Sequence, residues 1–265
     1  MAFFDSTKAR PAAEGRAENE SLAERLGIRA LSLRVSHVTA ITPSCRRIQV
    51  EGDELENLNP LPGQDLMISL GAENARTRRR RYTIRHFDPA EGHVDLDIAL
   101  HGDGPGVRWA TTAELGDPLE AVGPRGKIGL DPGADWHLFI GDDSFAPAAL
   151  NMAEAVPAHA TVLLAIEIDG PGHEQPAAID AAVVGPRWVY RDGAAPGDPA
   201  PLLGALAELP LLDGSGHAYV GGEYAMVGAL GKALGEWGLG AELISAKPYW
   251  RLGRQNAANG EPERD

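Results

Sequence analysis

The least ordinary segment of the chain is rich in arginine, with six arginines among the ten residues RTRRRRYTIR at 76–85. Arginine is the side chain best matched to phosphate, because its planar fork of N–H groups fits phosphate oxygens. If the segment is a strand, Arg81, Thr83 and Arg85 share one face and Tyr82 lies on the other. A planar ligand with a phosphate tail would then meet an aromatic ring, a hydroxyl and guanidinium groups. The alternative is a charged strand edge that guards against aggregation.

A glycine-rich loop is the second candidate for chemistry. The run HGDGPGVRWA at 101–110 follows a strand-like pattern that ends at Leu100, and from Val107 onward it can be helical. A strand, a glycine loop and a helix start can hold phosphate on backbone N–H groups. The glycine spacing is not the Rossmann fingerprint, and a tight turn that needs positive φ is an equally good explanation.

Short alternating strands must position both segments. Hydrophobic and polar residues alternate in several runs over 29–132, most cleanly at Val94, Leu96 and Ile98. A period of two indicates half-buried strands, and turn clusters separate the runs. About six strands of this kind predict an antiparallel barrel.

Strands alternate with helices in the second half of the chain. Apolar runs at 136–140 and 161–168 flank a helix-like stretch, and further strand and helix patterns follow. This alternation predicts a parallel sheet with helices on both faces over 133–254. In such a sheet, ligands lie beyond the carboxyl ends of the strands. The predicted fold class is therefore β plus α/β, a six-stranded antiparallel barrel followed by a parallel-sheet domain.

The two ends of the chain are polar. Residues 1–28 form an arm that we expect to be mobile, apart from a short helix opened by a capping box at Ser21. Residues 255–265 form a tail that we expect to be disordered.

Charge and composition exclude several classes of function. Lys and Arg total 24 against 38 Asp and Glu, a formal net charge of −14. An excess of acid argues against nucleic-acid binding and against docking on an anionic membrane. The single cysteine, Cys45, allows no internal disulfide, and no cluster has the spacing of metal ligands. Without a long apolar run, we expect a cytoplasmic protein.

Several motifs, in register along the chain, resemble those of the siderophore-interacting proteins (ferric-siderophore reductases) of the ferredoxin-reductase-like superfamily. The segment 80–85 resembles the flavin motif of this family. The other matching segments, in chain order, are 101–110, Gly123-Pro124-Arg125-Gly126, Gly141-Asp142 with Pro147-Ala148, Gly222-Glu223, and Tyr249 to Arg254. The resemblance implies an FAD-binding barrel over 29–132 and an NAD(P)H-binding α/β domain over 133–254.

The resemblance also assigns roles in the barrel. It implies that Tyr82 lies against the isoalloxazine ring of FAD and that Arg80 reaches the phosphates. Thr83 is the implied catalytic residue, because it would hydrogen-bond near the reactive nitrogen of the ring. The implied cofactor-binding set also contains Arg85, His101, Gly104, Pro105, Gly106, Val107 and Trp109.

The electron donor is less closely defined. Glu167 and Asp169 follow a strand, where a carboxylate can bond a ribose 2′-hydroxyl and repel a 2′-phosphate. This favours NADH weakly, and ordinary loop acids are the alternative. The adjacent pair Asp142 and Asp143 is more typical of a helix start than of a metal site. NADH, NADPH and reduced ferredoxin all remain possible donors.

The substrate is the ferric siderophore that the resemblance implies. Lys247, Trp250, Arg251 and Arg254 lie near the end of the chain, where the family's basic residues attract anionic ferric chelates. A solvated basic tail is the alternative. The predicted function is an FAD-dependent reductase that takes electrons from NAD(P)H and releases Fe(II). A flavin reductase with another acceptor, and a carrier that binds the chelate without turnover, are the other hypotheses.

Overall fold

The computed structural model describes residues 6–70, 79–126 and 128–254. The chain divides into two compact units, with the boundary between residues 127 and 128. The sequence analysis placed this boundary after residue 132. Three members of the arginine-rich segment, at 76–78, and the tail at 255–265 lie outside the described residues.

Six antiparallel strands of the first unit close into a barrel in the order β1-β2-β5-β4-β3-β6, which confirms the predicted barrel. The strands are β1 (Arg29–Thr42), β2 (Cys45–Glu51), β3 (Asp65–Ser69), β4 (Arg79–Asp88), β5 (His93–Ala99) and β6 (Pro118–Arg125). Val94, Leu96 and Ile98 of β5 are buried in the barrel core, as their alternation predicts. Asp95 and Asp97, between them, are also buried.

A helix precedes the barrel and corrects the prediction of a mobile arm. Helix α1 (Ser6–Leu26) packs on β1 and β6, and Ser21 lies inside it instead of at its start. Ala23 is buried, and Asn19 accepts a hydrogen bond from Ser69 Oγ at 3.1 Å. The sequence of this helix is too polar to show an amphipathic face. Packing against the barrel stabilises it, and sequence pattern alone does not reveal that packing.

The second unit is a parallel sheet in the order β10-β8-β7-β11-β12, with β9 paired to β8, as predicted. Its strands are β7 (Trp136–Asp142), β8 (Thr161–Ile168), β9 (Ala182–Val184), β10 (Trp188–Tyr190), β11 (Gly216–Glu223) and β12 (Ile244–Trp250). Three helices accompany them: α3 (Ala146–Glu154), α4 (Ala200–Glu208) and α5 (Tyr224–Glu236). Helix α2 (Pro105–Thr112) belongs to the barrel unit.

Both faces of this sheet are buried. Phe139 of β7 belongs to the core beneath α3, whereas its neighbours Leu138 and Ile140 belong to the core beneath α4 and α5. This explains why the residues of β7 from Trp136 to Ile140 are mostly apolar, because a strand covered on both sides has no solvent-exposed face. Strand β12 pairs with β11 at the edge of the sheet and runs as far as Trp250. Within the described residues, no helix is both long and apolar enough to cross a membrane.

Candidate functional site

Strand β4 places Arg80 and Tyr82 on one face. Arg80 pairs in register with Ile68 of β3, and Tyr82 pairs with Leu66. Both partners on β3 are buried in the barrel core, and the Tyr82 ring packs against that core. The strand therefore fixes the direction of the tyrosine ring and of the guanidinium two residues before it.

The start of α2 meets this face of β4. Gly104 is the N-cap of the helix, and Pro105 occupies its first turn, where a missing N–H costs nothing. A β-carbon at Gly106 would overlap Tyr82 Oη and would lie 3.7 Å from Arg80 Cγ. The glycine thus allows the helix backbone to approach both side chains. The helix begins at Pro105, two residues before the predicted start at Val107.

The remaining loop residues hold this arrangement. Gly102 has φ of +70°, so the tight turn proposed for the loop is present. His101 lies half-buried just after β5, and Val107 lies half-buried in the first turn of α2. Trp109, one turn further along, stacks on Tyr82 with ring centroids 6.0 Å apart and an interplanar angle of 29°. The stack supports the tyrosine ring from the helix side.

The electrostatics of this region favour an anion. Burial lowers the pKa of Arg80, and the nearby Arg108 cation lowers it further. Burial raises the pKa of Tyr82 to about 12, which keeps its hydroxyl neutral. Two guanidinium groups beside a helix N-terminus form a favourable setting for phosphate, because the helix end also carries partial positive charge. Arg108 was not among the predicted site residues.

Arg81, between Arg80 and Tyr82, has a different environment. Its Nε and Nη2 donate to the two oxygens of Asp65 at 2.9 and 2.5 Å, a bidentate ion pair. Asp65 is buried and lies opposite Thr83 in the strand register. Thr83 is itself only 7% exposed. The pair neutralises Arg81, so this position carries no unbalanced cation.

Arg85 is a buried member of an ion-pair cluster. Its side chain is 1% exposed, and its Nε lies 3.8 Å from Asp97 Oδ2. Arg47 also pairs with Asp97, at 2.7 Å, and its Nη1 lies 3.3 Å from Asp95. The β4–β5 register shifts between Ile84 and His86, so alternation counted from Tyr82 does not hold at Arg85. The structure thus places the Arg85 side chain in a buried ion-pair cluster with Asp97 and Arg47.

The second unit has its crevice between β7 and β11. The strand order reverses there, which is where ligands bind in open α/β sheets. Asp142 ends β7, and its Oδ2 accepts hydrogen bonds from Glu223 N at 2.8 Å and from Trp250 Nε1 at 2.9 Å. Its Oδ1 accepts from Ser144 N at 3.0 Å. Asp142 thus joins the ends of three strands, and these hydrogen bonds explain how its carboxylate can be buried.

A second charged cluster lies at the same edge of the sheet. Arg191 follows β10 and reaches Glu167 at 3.4 Å, Asp169 at 2.5 Å and Asp143 at 3.7 Å. Burial raises the pKa of Glu167 to about 7, an effect that Arg191 opposes. Burial, together with Asp142, raises the pKa of Asp143 to about 7. The sequence analysis named the carboxylates but missed Arg191, because nothing local in the sequence connects it with them.

The predicted substrate residues surround the end of β12. Lys247 Nζ lies 5.6 Å from the ring centre of Tyr249, and the Arg251 guanidinium lies 4.6 Å from that of Tyr224. Trp250 is tied to Asp142, as described above. Arg254 is exposed in a turn closed by a bridge between it and Arg251. The structure therefore brings Arg251 and Arg254 together in one turn.

Glu223 fixes the start of that turn. Its Oε2 accepts from Met226 N at 3.1 Å and from Ala225 N, which caps α5. Its Oε1 accepts from Leu252 N at 3.1 Å. One carboxylate thus links the helix cap to the basic turn, a role that sequence reasoning did not identify.

The architecture of the two units defines the fold class. A closed six-stranded barrel followed by a parallel α/β sheet is the ferredoxin-reductase-like arrangement that the resemblance implied. The family profile described as "Siderophore-interacting FAD-binding domain" matches residues 63–128, and that of "Siderophore-interacting protein" matches residues 134–253. The chain belongs to the siderophore-interacting protein family. The first match also confirms FAD as the cofactor.

Several individual proteins are similar to this chain. An uncharacterized protein of Mycobacterium tuberculosis is 38% identical over 187 residues, which cover 66% of this chain and 65% of that protein. The chain thus spans about two thirds of the length of that relative. The ferric vibriobactin reductase of Vibrio cholerae is 34% identical, over 69% of this chain and 68% of that protein. A siderophore utilization protein from T. fusca has a similar structure, with a TM-score of 0.77, 28% identity, and coverage of 87% and 95% of the two chains.

Proposed function

We propose that the protein is an FAD-dependent ferric-siderophore reductase that passes electrons from NADH or NADPH to chelated Fe(III) and releases Fe(II). The observation that carries the proposal is the meeting of Arg80, Tyr82 and Gly106 at the start of α2. It occurs in a chain of the siderophore-interacting family, within the segment that matches the FAD-binding profile. The similarity to a ferric vibriobactin reductase supports the choice of reaction.

The residues of the barrel fit the cofactor. Arg80, with Arg108 close by, and the first N–H groups of α2 would hold the phosphates. The Tyr82 ring, backed by Trp109, would lie against the isoalloxazine ring. Thr83 would hydrogen-bond near the reactive nitrogen, as the family resemblance implies. His101, Gly104 and Val107 would contribute through the backbone of the loop and of the first helical turn, and Pro105, which has no N–H, would fix the backbone of that turn.

The reaction depends more on a group that links two-electron to one-electron transfer than on an acid or a base. A nicotinamide donor gives two electrons as hydride, whereas Fe(III) accepts one, and FAD supplies the conversion between them. Hard oxygen ligands hold Fe(III) strongly and Fe(II) weakly, so reduction releases the metal without destruction of the chelator. The protein's task is therefore to bind and orient. This agrees with a site built from arginine, aromatic rings and backbone N–H groups.

The basic turn at the end of β12 is the proposed contact for the chelate. Arg251 and Arg254 present positive charge, and Lys247 adds to it from the strand. The net charge of the whole chain is −14, yet the local field at the turn decides whether an anion is attracted. Trp250 takes part through its tie to Asp142, which holds the strand end that leads into the turn.

One anaerobic experiment tests the proposal. The purified chain is expected to bind FAD and be yellow, and NADH or NADPH should bleach it. A ferric siderophore should then restore the colour while a ferrous-specific dye reports Fe(II). If NADH, NADPH and reduced ferredoxin all fail to bleach the flavin, but the protein still binds the chelate tightly, the carrier hypothesis is established instead.

Two comparisons sharpen the result. Quinone, ferric citrate and ferric siderophores at equal concentration separate the proposed substrate from other acceptors. Arg254→Gln should raise KM for an anionic ferric chelate, whereas Lys232→Gln, which removes a cation that is 80% exposed on α5, should not. Equal effects of the two changes would contradict the role of the basic turn.

A further inference from the structure

A histidine, a serine and an aspartate meet where the strands of the parallel sheet begin. His217 is the second residue of β11, Ser245 is the second residue of β12, and Asp131 precedes β7. Parallel strands begin at one edge of a sheet and end at the other, so this group lies at the edge opposite Asp142 and Arg191. It is therefore separate from the charged cluster and from the basic turn described above.

The serine hydroxyl lies next to the imidazole. Ser245 pairs in register with Tyr219, and His217 lies two residues before Tyr219, so both side chains project from the same face of the sheet. Ser245 Oγ and His217 Nε2 are 2.9 Å apart, which is a hydrogen-bonding distance. Ser245 is half-buried on an edge strand, whereas His217 is buried. The hydroxyl thus belongs to a residue that solvent reaches, beside a base that is held inside the unit.

The carboxylate of Asp131 faces the other nitrogen of the ring. Its Oδ2 lies 3.6 Å from His217 Nδ1, which is longer than a hydrogen bond but within the looser range of catalytic pairs before a substrate binds. Its Oδ1 accepts a hydrogen bond from Gly133 N at 2.9 Å, so the carboxylate is oriented by its own turn. A carboxylate at Nδ1 favours the tautomer with the proton on that nitrogen, which leaves Nε2 to accept the serine hydrogen.

One tyrosine supports both partners of this arrangement. The His217 ring stacks on Tyr219 with ring centroids 4.7 Å apart. Tyr219 Oη accepts a hydrogen bond from Asp131 N at 2.8 Å. His137 of β7 also stacks on the tyrosine ring, at 6.0 Å. The imidazole and the aspartate are therefore held by contacts outside the group itself, as a preorganised site requires.

The imidazole has the protonation state of a base. Burial lowers the pKa of His217, an effect that the Asp131 carboxylate opposes. Burial also lowers the pKa of the adjacent His137, and the charge of His217 lowers it further. Tyr219, whose pKa is raised by burial to about 12, stays neutral as well. At neutral pH the His217 ring is therefore uncharged and can accept a proton.

We propose that Ser245 is a nucleophile, activated by His217 as general base and with Asp131 as positioning residue, and that this group hydrolyses carboxylic esters with a small acyl group. The acyl group is small because Ser245 is half-buried. Ser245 Oγ bonds to the carbonyl carbon while its proton passes to His217 Nε2. The bond from that carbon to the alcohol oxygen breaks, and the alcohol leaves with the proton. Water then attacks the acyl-serine and, with His217 again as base, releases the carboxylic acid and restores the hydroxyl.

Hydrolysis of p-nitrophenyl acetate by the full FAD-loaded chain tests the proposal. The unaltered chain should release p-nitrophenolate about 100-fold faster than Ser245→Ala, which is the lower end of what a positioned base contributes. His217→Gln should lose the activity to a similar extent, because residues that act as a unit are not additive. Peptide mass spectrometry of the unaltered chain should find the trapped acetyl group on Ser245. Equal release by the unaltered chain and by Ser245→Ala would overturn the inference.

Ser215 provides a matched control serine. It lies at the same edge, directly before β11, and its hydroxyl bonds to Asp135 Oδ2 and Gly133 O at 3.0 Å instead of to an imidazole. Ser215→Ala should leave the release of p-nitrophenolate unchanged. An acetyl group found on Ser215 or on a lysine, with none on Ser245, would also overturn the inference.

A pH profile tests the role of Asp131. In the unaltered chain the rate should rise with pH through the pKa of His217, because only the neutral ring accepts the serine proton. Since Asp131 raises that pKa, Asp131→Asn should move the profile to lower pH. Its plateau should also fall by about tenfold or more, because the productive tautomer is no longer favoured. An unmoved profile would refute the positioning role.

The ester assay requires neither an electron donor nor a chelate, so it is independent of the proposed function. Ester hydrolysis by a chain whose flavin no donor reduces would support this inference and remove the reductase proposal. Flavin bleaching without Ser245-dependent hydrolysis would have the opposite meaning.

Discussion

Gly106 of α2 lies so close to Tyr82 of β4 that the structure has no room for a β-carbon beside the tyrosine hydroxyl. The ring cannot swing away easily, because it packs against the barrel core on one side and stacks on Trp109 on another. The glycine therefore sets the distance between the helix start and the strand that together form the proposed FAD site.

Gly106→Ala should weaken FAD binding and destabilise the barrel by about 1–3 kcal/mol, because the added methyl group forces the helix start away from Tyr82. Gly228→Ala in α5 is the control, since a β-carbon there would meet nothing within 4 Å and the residue lies outside the proposed FAD site. FAD affinity and the free energy of unfolding are the measurements. The double change with Tyr82→Phe, which removes the clashing hydroxyl, should recover part of the loss; no recovery would contradict the steric explanation.

The two adjacent arginines of β4 should respond differently to the same change. Arg80→Met should reduce FAD affinity by about 10–100-fold, because it removes a charged hydrogen-bond donor for phosphate. Arg81→Met should instead cost about 1–3 kcal/mol of stability in the FAD-free chain, because Asp65 loses its bidentate partner. Flavin fluorescence titration and denaturant unfolding distinguish the two outcomes. A larger loss of FAD affinity in Arg81→Met would contradict these assignments.

Glu167 should make stability depend on pH in a defined direction. Burial raises its pKa in the folded chain to about 7, above the value of an exposed glutamate. Its contribution to stability is therefore fully present below the unfolded pKa, near about 4.3, and is lost as pH rises through about 7. Glu167→Gln does not titrate, so its Tm relative to the unaltered chain should rise from pH 5 to pH 8. The exposed Glu208→Gln serves as control, and a flat or falling difference for Glu167→Gln would refute the assignment.

Glu223 should couple the cap of α5 to the basic turn. Glu223→Ala removes the acceptor for two helix N–H groups and for Leu252 N, and should cost about 1–2 kcal/mol of stability. Hydrogen exchange at the Leu252 amide should speed up more than exchange in the middle of α5. The same change at the exposed Glu242 is the control. Unchanged protection at Leu252 would show that the turn is held by other contacts.

Much of the fold could be predicted from the sequence, because burial imposes a regular spacing on apolar and polar residues. Val94, Leu96 and Ile98 alternate with polar residues in a barrel wall, and the mostly apolar sequence of β7 reflects cores on both faces of a sheet. The length of α1 could not be read in this way. Its residues are polar, and its helical state depends on packing against β1 and β6.

The candidate site could be predicted from the sequence only where its residues are close to one another along the chain. Arg80 and Tyr82 lie on one strand, and Gly106 lies in one loop, so spacing and resemblance identified them. Arg191 pairs with carboxylates that follow two other strands, and Asp65 of β3 pairs with Arg81 of the neighbouring strand β4. Such pairs depend on topology, and a single sequence contains no local trace of them.

The ion pair between Asp65 and Arg81 has a consequence for how the family diverges. A buried acid at position 65 is tolerated because a cation at position 81 balances it, and an isolated buried charge would be costly. Relatives with a small uncharged residue at position 81 should therefore lack the acid at position 65. The two positions should covary among relatives, whereas Arg80, which is proposed to hold the FAD phosphates, should be retained whichever pair is present.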